Sequence, residues 1–123
     1  MSYINLHISG VPYSRNKSRG NTDAADQWSE QVKNQTAALP RVKEACAVKV
    51  TFLLPPDKFP HDFPYGPDLD NLLKRFMDAL NGTIFSETPG GDSCAIMLTV
   101  IKTRVASVKE AGAHLEVLPV SVA

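Results

Sequence analysis

Two apolar periodicities meet in the middle of this chain, and together they leave few folds open. From Cys46 to Leu54 the hydrophobic residues Cys46, Val48, Val50, Phe52 and Leu54 recur at every second position. That is the spacing of a strand with one buried face. Beyond a proline-rich stretch the spacing changes: Leu69, Leu72, Leu73, Phe76, Met77 and Leu80 fall on one face of a helix. A strand and a helix that are each apolar on one side must cover one another, so the chain reads as α+β.

The remaining segments extend that reading. Ile4, Leu6 and Ile8 alternate with polar residues as a strand ending at Gly10. A helix capped by Asn21 or Thr22 carries the stripe Ala25, Trp28, Val32 and Leu39 and stops at Pro40, with Trp28 read as core. Residues 55–67 hold five of the nine prolines, with Phe59, Phe63 and Tyr65 among them, and read as a stiff surface excursion. Gly82 is expected to terminate the second helix in a left-handed conformation. A loop with Pro89-Gly90-Gly91 follows, then a nearly continuous apolar run from Cys94 to Ile101, as for a strand covered on both faces. Ala113 to Val120 gives the last strand. The order β-α-β-α-β-β implies a two-layer domain, a mixed sheet of about four strands packed against two helices, over residues 1–123 as one unit.

Composition excludes several classes. With 43% hydrophobic residues, 13 basic and 13 acidic side chains, the chain is neither disordered nor a protein that grips nucleic acid by bulk charge. The charges are nonetheless segregated: residues 51–100 carry seven acidic against three basic groups, and the flanks are basic. No signal peptide opens the chain and no window approaches the ~20 apolar residues of a membrane span, so a cytoplasmic protein is expected. Cys46 and Cys94 have no CxxC partner, and read as reduced thiols rather than a zinc site or disulfide. The glycosylation patterns at Asn16, Asn34 and Asn81 are then chance.

The acidic cluster carries the chemistry. Pro67-Asp68-Leu69-Asp70-Asn71-Leu72-Leu73-Lys74 sets Asp68 at the cap of the second helix, Asp70 in its first turn and Lys74 one turn on, with Asp78 beyond. First-turn acids also stabilise a helix dipole by ~0.3–1 kcal/mol, so these two aspartates have a purely structural use as well. Asp92 has none: it ends a Gly-rich loop, with no helix to cap. Adjacent carboxylates repel, so three of them make most sense around a hard cation such as Mg²⁺ (or Mn²⁺), able to activate water and stabilise a leaving phosphate oxygen. Lys74 would meet a phosphate. Arg15, Lys17 and Arg19, at alternate positions of a polar loop, and Lys102 with Arg104 would hold nucleic-acid phosphates. Phe59, Phe63 and Tyr65 either stack on bases or pack their loop onto the core. His7, His61 and His114 are scattered, and no nucleophile–base arrangement suggests covalent catalysis.

The run Pro67–Lys74, continued by Phe76-Met77-Asp78-Ala79-Leu80-Asn81-Gly82 and by Asp92-Ser93 with the strand ending Val100-Ile101-Lys102, resembles the signature of RusA-type Holliday junction resolvases, endodeoxyribonucleases common in phages and prophages. The resemblance implies a Mg²⁺-dependent homodimer that places paired nicks in opposed strands of a four-way DNA junction, in recombination and repair. It implies metal-binding aspartates at Asp68, Asp70 and Asp92 and an essential lysine at Lys74. A two-fold protein suits a pseudo-symmetric junction with two sites to cut. Two departures stand out. Gly91 precedes Asp92 where the family often has an acidic pair, and the loop before it, with Glu87-Thr88-Pro89-Gly90, is a few residues longer; either Glu87 supplies the missing carboxylate or the match at Asp92 is shifted. The first loop is also less basic than is usual in the family.

Three functions follow: a structure-selective endonuclease, a branched-DNA-binding protein of the same fold with impaired catalysis, and a phosphoesterase for small substrates. The absence of a Gly-rich phosphate loop counts against the third.

Overall fold

In the computed structural model, which describes residues 3–14, 22–58 and 67–121, the two periodicities resolve into four strands and two helices. The strands are β1 (Ile4–Ser9), β2 (Cys46–Leu54), β3 (Ala95–Arg104) and β4 (Gly112–Pro119), and the helices are α1 (Thr22–Thr36) and α2 (Leu69–Leu80). The chain order is β-α-β-α-β-β, as expected, in an α+β domain with a mixed sheet. The sheet runs β1-β4-β2-β3; β4 is antiparallel to both β1 and β2, whereas β3 runs parallel to β2. A parallel pair needs a crossover between its strands, and α2 supplies it.

One face of the sheet is covered. Val48, Val50 and Phe52 of β2, Ala113, Leu115 and Val117 of β4, and Ile4 and Ile8 of β1 are buried against the helices. Leu72, Phe76, Met77 and Leu80 of α2 and Trp28 and Val32 of α1 form the opposing layer. At its centre the Phe76 ring stacks on Trp28 at 6.2 Å and meets Phe52 edge-on at 5.5 Å. The other face is polar along its centre, where Lys49 and Glu116 approach to 3.9 Å. No helix of the described residues is long and apolar enough to cross a membrane.

Three expectations are corrected. The apolar run into β3 is not covered on both faces: β3 lies at the sheet edge, and Ile96, Met97, Leu98 and Ile101 are 40–61% exposed. An edge strand lacks the neighbour that would cover it. The first helix ends at Thr36, short of Pro40, because the Thr36 hydroxyl turns back to the Val32 carbonyl at 2.7 Å and shares a 2.8 Å hydrogen bond with buried Thr83. Leu39 is only partly buried. Gly82 is not left-handed; α2 closes through the Gly82 N–H to the Ala79 carbonyl and the Thr83 N–H to the Leu80 carbonyl, tight turns open to any residue. The segment after it is a loop, as expected, and it adds to the core: Ile84 and Phe85 are buried, and the Val42 N–H donates to the Ile84 carbonyl at 2.7 Å.

Phe76 is fully buried, so Phe76→Ala should cost about 3–5 kcal/mol by removing both aromatic contacts and leaving a cavity. Urea unfolding is the check; a loss below about 1 kcal/mol would show that α2 is held by other means.

Candidate active site

Burial of one side of α2 turns its polar side outward beside β3. Between them lies a cleft of about 470 Å³, lined by Asp70, Lys74, Met77, Asp78, Asn81, Asp92 and Leu98, among others. Asp70 and Asp92 therefore reach one cleft from two elements, the first turn of the helix and a short 3₁₀ turn, Gly91–Cys94, that leads into β3.

Asp92 is held in a defined pose. Asn81, the residue that caps the end of α2, donates Nδ2 to Asp92 Oδ2 at 3.2 Å and accepts the Asp92 N–H on Oδ1 at 2.9 Å. This pair ties the carboxylate to the helix that carries Asp70. Sequence reasoning missed Asn81, which reads as a polar residue at a helix end; its signal was a side-chain amide next to the loop bearing the third aspartate. Gly90 and Gly91 shape the turn, with φ of +79° and +58°. A Cβ on Gly91 would lie 2.8 Å from Asn81 Oδ1. The absence of a side chain at Gly91 thus lets Asn81 reach Asp92.

The other expected residues fall in different places. Asp68 occupies the cap of α2 with extended φ/ψ, but its carboxylate makes no capping hydrogen bond; it is exposed and outside the lining of the cleft. Asp70 Oδ1 accepts the N–H of Asn71 at 3.0 Å. Lys74 lines the cleft and lies 3.5 Å from Asp78, both well exposed. Glu87 pairs with Lys43 at 3.4 Å and does not line the cleft. Lys102 donates Nζ to the Pro67 carbonyl at 2.8 Å, tying β3 to the residue before Asp68. His7 and His114 are register partners on β1 and β4 and are absent from the cleft lining. Arg15, Lys17, Arg19, Phe59, His61, Phe63 and Tyr65 lie outside the described residues.

Among the described residues no group of three His, Cys, Asp or Glu side chains could hold a metal ion together. The anionic donors that share the cleft are all carboxylates, and Mg²⁺ is commonly held by one or two carboxylates with water and phosphate completing its shell. Asp70 and Asp92 fit that description. No thiol competes in the cleft: Cys46 and Cys94 are free, with their sulfurs 4.0 Å apart, and burial beside Cys94 pushes the Cys46 thiol up to about 12.

The glycines give a direct check on the geometry. Gly91→Ala should destabilise by at least about 1–2 kcal/mol, the cost of a left-handed non-glycine residue, with the clash on Asn81 added. Gly82→Ala, whose Cβ would make only an ordinary 3.6 Å contact, should be near neutral. Equal unfolding midpoints for the two variants in urea would contradict the turn described.

Comparison with known families places the chain as a whole. The family described as endodeoxyribonuclease RusA matches residues 12–115, which include α2, the glycine turn and β3. A search of curated proteins finds no match. The chain belongs to the RusA endodeoxyribonuclease family.

Proposed function

We propose that the protein is a divalent-metal-dependent, structure-selective endonuclease that resolves four-way DNA junctions by paired phosphodiester hydrolysis, in recombination and repair. The observation that carries this reading is the convergence of Asp70 and Asp92 on one cleft beside Lys74. Asp70 and Asp92 would hold Mg²⁺ or Mn²⁺; the family resemblance adds Asp68, whose carboxylate is not spent on capping. When bound, such an ion lowers the pKa of water and polarises a phosphoryl oxygen. The chain's own residues do the rest. Asn81 fixes the Asp92 carboxylate so that no reorganisation is needed when substrate arrives. Lys74 exchanges its solvent-exposed contact with Asp78 for a phosphate oxygen and stabilises the charge that develops there. Lys102 holds the start of the acidic segment against β3 and so acts on the site by positioning it. Arg15, Lys17 and Arg19 remain candidate phosphate contacts in this reading. The protein acts in the cytoplasm, where its DNA substrate resides.

The feature that favours the second reading, a branched-DNA-binding protein with impaired catalysis, is Gly91 in place of an acidic residue. The glycine has a conformational reason of its own, however, because it makes room for Asn81. Cleavage of a junction by the purified protein separates the two readings.

The dimer in this reading is supported by β3. Its outer edge meets no strand among the described residues, and large apolar side chains are exposed on both its faces. Such an edge invites pairing with another strand. Two copies paired antiparallel about Thr99 would set Met97 opposite Ile101 and Leu98 opposite Val100, apolar against apolar on each face.

Two outcomes are expected. With Mg²⁺, purified protein should nick a synthetic four-way junction in opposed strands; Asp70→Asn should abolish cleavage while retaining binding, and Asn81→Ala should fall between the two. Intact junctions with the wild-type protein across low to moderate salt would defeat the enzymatic reading. For the dimer, Met97→Lys with Ile101→Lys should give monomers in sedimentation at concentrations where the wild type is dimeric. A dimer unaffected by both changes would place the interface elsewhere.

A further inference from the structure

Helix α2 separates two grooves. The cleft with Asp70 and Asp92 lies on its β3 side; on the α1 side lies a second cleft of about 180 Å³. Lys74 and Asp78 form the ridge between them and line both. The second groove differs in charge. Its cations are Lys33 from α1 and Lys74 and Arg75 from α2, against the single anion Asp78, which Lys74 already faces at 3.5 Å. Neutral hydrogen-bonding groups complete it: Ser14, Ser29 and Asn71.

Arg75 is preset in this groove. Its Nη1 donates to the Ser29 hydroxyl at 3.2 Å and to the Ala25 carbonyl at 3.5 Å, so α1 holds the half-buried guanidinium in one orientation. Lys33 forms no ion pair among the described residues. Like charges gathered where two helices pack repel one another, and an anion between them would relieve that repulsion. A fixed guanidinium, a lysine and hydroxyl donors are the groups that recognise phosphate. Ser14 also stands immediately before the basic run Arg15–Arg19 in sequence.

We infer that this groove is a second phosphate subsite, which takes a backbone phosphate of the strand being cut. The inference rests on the nuclease reading above. A strand crossing the Lys74–Asp78 ridge must traverse a helix about 10–12 Å across, or about three nucleotides at 3.4 Å of axis each. The subsite thus engages the strand a few nucleotides from the phosphate in the acidic cleft. Lys33 and Arg75 hold the strand and set its register, and take no part in bond cleavage.

Two measurements on the full chain test this. Inorganic phosphate titrated into DNA-free protein should produce saturable amide NMR shifts centred on Ser29, Lys33 and Arg75, and Lys33→Glu should remove them. Junction affinity measured in EDTA over a salt series should fall about three- to ten-fold in Lys33→Gln, with the slope of log affinity against log salt reduced by about one, while Lys33→Arg restores both. Unfolding midpoints should not change, since Lys33 is exposed. Scattered or unsaturable phosphate shifts, or unchanged affinity and slope in Lys33→Gln, would overturn the subsite, and with wild-type cleavage intact would leave the nuclease reading standing. Saturable phosphate binding by a protein that neither binds nor cuts junctions would support the anion site and overturn the nuclease reading.

Discussion

The seat of Phe76 between Trp28 and Phe52 is the contact on which the rest of the molecule depends. It docks α2 simultaneously onto α1 and onto the sheet. Everything chemical then follows from the rotation of that helix. With Leu72, Phe76 and Leu80 turned inward, Asp70 and Lys74 must turn outward beside β3. At its far end the same helix presents Asn81, whose two hydrogen bonds fix Asp92. Two carboxylates that are 22 positions apart in the chain thereby come to line one cleft.

Local pattern explains what could be read from the sequence. The alternation from Cys46 to Leu54 coincides with β2 because every second residue is buried, and the 3.6-residue spacing from Leu69 marks α2 from its first residue to Leu80. Asp70 and Lys74 were legible because each lies at a defined place on that helix. Relations between distant segments were not. An apolar run such as Ile96–Leu98 does not encode whether a neighbour covers it, so an edge strand and a central strand look alike. Asn81 became visible only once the turn at Gly90 and Gly91 brought Asp92 to it. Thr36 ended α1 early through a partner, Thr83, that is 47 residues away. Ile84 and Phe85 have too short an apolar run to show a period, yet both fill the core.

The neutral net charge takes on a spatial meaning in the fold. Acidic groups gather on the β3 side of α2 and basic groups on its α1 side, with the Lys74–Asp78 pair on the ridge. A divalent cation in the first groove would shift the whole surface towards positive. A polyanion could then lie across both grooves without facing a net negative surface. Balance of charge in the sequence therefore coexists with a surface on which the two signs are separated.

The central claim is that Asp70 and Asp92 form one divalent-metal site. Paramagnetic broadening by substoichiometric Mn²⁺ tests it most directly, because it locates the ion without requiring activity. The account predicts that the amide resonances of Asp70, Asn71, Asp92 and Ser93 broaden first, and that Mg²⁺ in excess restores them. Broadening centred on other carboxylates, such as Glu110 and Glu116, or no localised broadening at all, would contradict it.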